Sequence, residues 1–189
     1  MLNPVFTILA LNLGIFIAVQ MSPDLIGNLG LYSDTDIFLE RPWGIFTSMF
    51  VHDGFYHLFA NMITLYFFGS FFNRLVGNRI FLLVYFGGGI AGSILFILLA
   101  SDALAIGASG AVFALGAAMA VIVPRMKVVI FPIPAPIPLW MAALGIFALL
   151  TVLPMMTTFS NIAWQAHLGG AAFGLAAGYI LKTRKHFYF

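Results

Sequence analysis

Long apolar runs separated by short polar stretches pattern the chain from end to end. The first run covers residues 3–21, with Asn12 its one strongly polar interior residue. Five more follow at roughly 54–72, 80–100, 109–123, 139–154 and 162–181. A helix needs about 20 apolar residues to cross ~30 Å of hydrocarbon, so these runs predict membrane-spanning helices. The pattern as a whole predicts an all-α polytopic membrane protein: six transmembrane helices in a single membrane domain, 1–189. Between the first two runs lies a polar and aromatic connection, 22–51, carrying Asp24, Asp34, Asp36, Glu40 and Arg41, with Pro23 and Pro42 as breakers. Connections longer than about 15 residues are usually functional or partly structured. Pro124, Pro132, Pro134, Pro136 and Pro138 predict a stiff extended connection over 124–138.

Composition sharpens this picture. The chain is 62% hydrophobic and only 7% charged, with a mean hydropathy of +1.08. Soluble domains carry roughly 25% charged residues, so an integral membrane protein is expected. The first run has neither a basic leader nor a small-residue cleavage site and reads as a retained span. The chain has no cysteine, which excludes disulfides, thiol catalysis and thiolate metal sites. The basic residues are sparse and sit beside spans, so no nucleic-acid surface is expected. Seven of the eight basic residues fall on one side of a six-span arrangement, and all six acidic residues fall on the other. The positive-inside rule then places both termini in the cytoplasm and the 22–51 connection outside.

The fourth run is short. From Ser109 to Arg125, the next positive charge, sixteen residues of helix rise only ~24 Å. This helix therefore starts inside the membrane, where its first N–H groups lack intrahelical partners. Irregular backbone at that depth requires protein cover or a water-filled cavity. A serine at such a start is a candidate nucleophile beside an oxyanion site. A lone serine in a membrane helix more often bonds back to a carbonyl or packs as a small residue, so its neighbours in depth decide the matter.

Two other helices supply such neighbours. Counted from Arg74, Asn61 stands ~20 Å above the cytoplasmic charges, and His167, counted from Lys182, stands ~22 Å above them. Ionisable and amide side chains within spans are functional candidates. His57 and Asn61, four residues apart, share one helix face. On the sixth run His167, Gly170, Gly174 and Gly178 line one stripe; on the fourth, Ser109, Phe113, Gly116 and Ala120 line another. Small-residue stripes let helices approach closely, which would bring His167 to Ser109. Neutral imidazole is the usual base for a serine nucleophile. No carboxylate lies in any span, so the expected unit is a dyad. The Ser109 N–H, the Asn61 amide and His57 are the expected oxyanion donors. His52 and Asp53 would line the water entrance.

At these residues the chain resembles the rhomboid intramembrane serine proteases, in their minimal six-span prokaryotic form. Gly107-Ala108-Ser109-Gly110 matches the family's GxSG, Ala166-His167 with Gly170 and Gly174 matches its AHxxG...G helix, and His52, His57 and Asn61 match its second-span set. The resemblance implies Ser109 as nucleophile, His167 as general base, and Asn61 and His57 on the oxyanion side. Gly107, Ala108 and Gly110 would form the oxyanion backbone and helix start, and Phe113 would stack on the histidine. Two departures stand out. The family's outer-loop Trp-Arg pair reads Trp43-Gly44, with Arg41 nearby, and an acidic residue at the end of the second span reads Asn73.

The expected activity is hydrolysis of peptide bonds in or near transmembrane segments of membrane proteins, from a site opening to the external face. No metal or other cofactor is expected, and the sequence leaves oligomeric state open. A transporter would usually show intramembrane carboxylates or repeat symmetry, and neither is present. A rhomboid-like binder of membrane segments would have lost the serine or the histidine. The connection beginning at Pro154 with Met155-Met156-Thr157-Thr158 and ending near Asn161 is expected to cap the cavity.

Overall fold

The computed structural model describes residues 3–130, 135–156 and 162–184. Its first helix, α1 (Pro4–Met21), starts where the Asn3 side chain accepts from the Val5 N–H and Pro4 takes the first helical position. The 22–51 connection folds into three short helices, α2 (Leu25–Leu29), α3 (Thr35–Glu40) and α4 (Gly44–Thr47), and a 3₁₀ turn at Ser48–Phe50. A two-residue strand, β1 (Leu31–Tyr32), lies between α2 and α3. The Asp34 carboxylate caps α3 by accepting from the Ile37 N–H.

Next come α5 (Phe55–Thr64) and α6 (Ser70–Val76), joined without a break by a π-turn at Leu65–Gly69. Residues 55–76 are thus one helical rod, longer than the apolar run predicts, because Asn73 and Arg74 continue it. α7 (Asn78–Leu99) leads to β2 (Leu104–Ala105), α8 (Ser109–Ile122), and the pair β3 (Lys127–Val128) and β4 (Ile137–Pro138). α9 (Leu139–Phe147) passes through a second π-turn, Ala148–Val152, into α10 (Leu153–Met156). The last helix is α11 (Trp164–Arg184).

Among the described residues, three helical segments are long and apolar enough to cross a membrane by length and composition: Pro4–Met21, Asn78–Leu99 and Leu139–Met156. Ser109–Ile122 is apolar but shorter. Large apolar side chains such as Phe67, Leu83, Leu98, Leu144 and Leu175 are exposed on the outside of the bundle. A soluble monomer rarely carries apolar surface on that scale, whereas lipid accepts it. Two features differ from the expected elements. β1 pairs antiparallel with β2, and β3 with β4, so the proline-rich connection is partly strand. Pro154 lies within helix α10 instead of opening a loop. The expected cap falls mostly on residues 157–161, outside the described residues.

α7, α8 and α11 pack on one another at the centre. A Cβ on Gly170 would collide with the Gly110 carbonyl, and one on Gly174 with the Ala114 carbonyl. At Gly178 the Ala118 carbonyl would lie 2.7 Å away. The stripe that α8 offers to α11 is therefore Gly110, Ala114 and Ala118, one residue round from the predicted one. Gly116 has nothing within 4 Å of the position a Cβ would take. It borders a cavity of about 440 Å³ between α8, α9 and α11. At the far end, Lys182 Nζ donates to the Val121 carbonyl across 3.0 Å, tying α11 to the C-terminus of α8.

Candidate active site

Three layers of local structure position Ser109. The first is the strand pair, which joins the 22–51 connection to β2, immediately ahead of Gly107. The second is a set of bonds that hold the backbone entering α8. The Gly107 N–H donates to the Ser48 carbonyl at 2.9 Å. The Ala108 N–H donates to His52 Nε2 at 3.3 Å. The third is Gly107 itself, at φ +114°, in the region that favours glycine. A Cβ there would also stand 2.7 Å from His57 Nε2. With those two amides engaged, Ser109 opens the helix, and its own N–H has no acceptor among the described residues.

His52 sits fully buried in the loop ahead of α5. Burial pushes its pKa down to about 3, the nearby His57 adds to the shift, and the Phe50 carbonyl opposes it. A neutral ring is what the bond from Ala108 requires, since only an unprotonated Nε2 accepts. The His52 and His57 rings meet edge to face, 4.9 Å between centroids.

The close α8–α11 contact delivers His167 to the serine: Nε2 lies 2.8 Å from Ser109 Oγ. On the other side of the ring, Nδ1 lies 2.7 Å from the Leu150 carbonyl in the second π-turn. A carbonyl only accepts, so Nδ1 carries the proton and Nε2 is left to accept from the serine hydroxyl. Phe113 stacks on the imidazole, 4.5 Å between centroids and 20° between planes. Phe147 braces Phe113 edge to face.

Asn61 is nearly buried on α5, and its Nδ2 donates to the His57 carbonyl at 2.9 Å. One of its two amide hydrogens is therefore spent within the helix, leaving the second for a ligand. A small cavity of about 20 Å³ borders Ser109, lined also by Ser48, Ser93 and Ala166. That is room for about one water.

The outer-loop departure also has a structural basis. A Cβ at Gly44 would lie 2.5 Å from the Gly30 carbonyl oxygen, so no arginine fits there. Arg41 instead donates to the Gly27 carbonyl and Trp43 to that of Asn28, and together they anchor α2. Asn73 is buried within α6, and its backbone carbonyl accepts from the Gly77 N–H. Sequence reasoning missed the Leu150 carbonyl and the Ser48 carbonyl, because both are backbone groups that any residue carries.

Comparison with known proteins identifies the family. The Rhomboid domain matches residues 39–184. Rhomboid protein 1, mitochondrial, from Saccharomyces cerevisiae is 30% identical over 144 residues, covering 73% of this chain and 41% of that protein. The rhomboid protein YdcA of Bacillus subtilis is 34% identical over 143 residues, covering 74% of this chain and 65% of that protein. Rhomboid protease GluP of the same organism is 32% identical over 144 residues, covering 76% of this chain and 27% of that protein. The chain thus spans between about a quarter and two thirds of the length of these relatives. With the Rhomboid domain matching residues 39–184 of 189, the chain belongs to the rhomboid family of integral membrane proteins.

Proposed function

We propose that the chain is an intramembrane serine endopeptidase that cuts peptide bonds in or near transmembrane segments of membrane proteins. The observation that carries this reading is the Ser109 Oγ to His167 Nε2 contact of 2.8 Å, with Nδ1 turned to the Leu150 carbonyl. The rhomboid family membership and the name of the GluP relative point the same way. In this reading six helices span the bilayer of a prokaryotic cell, both termini are cytoplasmic, and α8 starts below the external face.

Ser109 attacks the scissile carbonyl while His167 Nε2 takes its proton. The Ser109 N–H, the second Asn61 hydrogen and His57 face the developing oxyanion. The imidazolium then gives its proton to the leaving amine, and water hydrolyses the acyl-enzyme by the same route in reverse. A helical substrate hides its carbonyls, so local unwinding must precede attack, and helix-breaking residues near the bond favour it. The direct test incubates detergent-purified protein with a single-span substrate and maps the products by mass spectrometry. One cut near the external end of the span is expected; an intact substrate under conditions where the protein stays folded would overturn the proposal.

Asn61→Ala removes one oxyanion donor while leaving the dyad in place. Loss of such a donor costs ~3 kcal/mol, or about a hundredfold in rate, when no other donor compensates. Turnover should fall by up to that amount while residual cleavage persists. Unchanged turnover would leave Asn61 with only its bond to the His57 carbonyl.

A further inference from the structure

The Leu150 carbonyl can bond His167 because of how its own helix is built. In a regular helix this carbonyl would accept from the N–H four residues on. That residue is Pro154, which has no N–H. The residue three positions on, Leu153, donates its N–H to the Ala148 carbonyl through the π-turn. The two nearest helical donors are therefore lacking or engaged elsewhere. The carbonyl is turned toward α11, where His167 Nδ1 meets it at 2.7 Å. Pro154 is buried, and it is not a helix stop, since α10 continues through it to Met156.

We propose that Pro154 is a positioning residue for the dyad: lacking an N–H, it reserves the Leu150 carbonyl for His167 Nδ1. The bond sets which imidazole nitrogen carries the proton and holds Nε2 toward Ser109. A span with no catalytic side chain thereby takes part in the site through its backbone. One consequence is that the dyad is aligned only while residues 148–154 lie against α11. The inference rests on the dyad reading above.

The test uses the full chain in detergent and two replacements at one position. Pro154→Ala restores an N–H that competes for the Leu150 carbonyl, and alanine favours the helix, so folding is expected to hold. Lactic acid incorporated at 154 gives an ester with alanine's side chain and no N–H. Two readouts are taken for each: the rate at which a small phosphonate labels Ser109, and kcat and KM on a single-span substrate. Pro154→Ala should lower both the labelling rate and kcat by about tenfold, the weight of one hydrogen bond, with KM unchanged. The ester should restore both. Wild-type labelling in Pro154→Ala with only substrate cleavage impaired would overturn the inference, because the proline would then act on substrate passage. An ester as impaired as Pro154→Ala would overturn it too, assigning the effect to ring shape. A wild-type chain that neither labels nor cleaves would bring down the protease reading itself.

Discussion

Replacing Ser109 or His167 with alanine is expected to abolish cleavage while leaving the fold intact. The two side chains are in contact, Oγ to Nε2, and in the proposed mechanism neither works without the other. Comparable serine–histidine units lose on the order of 10⁴ to 10⁶ in turnover when a member is removed. The double replacement should be no worse than either single one, because members of a catalytic unit are not additive. Folding should survive, since Ser109→Ala removes one oxygen at a helix start. His167→Ala leaves a gap beside Phe113 and removes the partner of the Leu150 carbonyl, but breaks no backbone–backbone bond. Thermal unfolding in detergent provides the folding control. Full activity in folded Ser109→Ala protein would contradict the assignment.

Gly170→Val should be nearly as damaging, though residue 170 does no chemistry. Its Cβ would occupy the space of the Gly110 carbonyl, which is backbone and cannot rotate away. The helices α8 and α11 must then separate, and Gly110 is the residue next to Ser109, the proposed nucleophile. A displacement of about 1 Å at a catalytic pair can cost about a hundredfold in rate, so at least that loss is expected, with lowered thermal stability. Gly116→Ala, on α8, is the control, because nothing lies within 4 Å of its added carbon. It should retain close to wild-type cleavage. Equal losses at 170 and 116 would mean that helix flexibility, and not the α8–α11 approach, is what these glycines provide.

How far such features can be read from residues depends on whether side chains or backbone carry them. Ser109, His167 and the glycines of α11 announce themselves, since each is a polar or small residue in an apolar run. Their convergence follows from depth counting, and the Lys182 bond to Val121 shows α8 and α11 in matching register at that end. The stripe on α8 was offset by one residue, because the smallest side chains mark the interface only when they face it. Gly116 instead borders the cavity. The π-turns at Leu65–Gly69 and Ala148–Val152 are invisible to apolar periodicity, which a single extra residue hardly disturbs. Gly44 read as a missing arginine; the close Gly30 carbonyl that excludes a side chain there is a tertiary fact.

The protease reading requires that His167 activate Ser109 as a nucleophile. It is tested most directly by exposing the folded, detergent-purified chain to a mechanism-based serine-reactive phosphonate and locating the adduct by tandem mass spectrometry. One adduct is expected, on Ser109, forming in the wild type with or without a chelator and failing to form in His167→Ala. Substrate cleavage that continues with no adduct on Ser109, or an adduct that forms equally fast in His167→Ala, would contradict it.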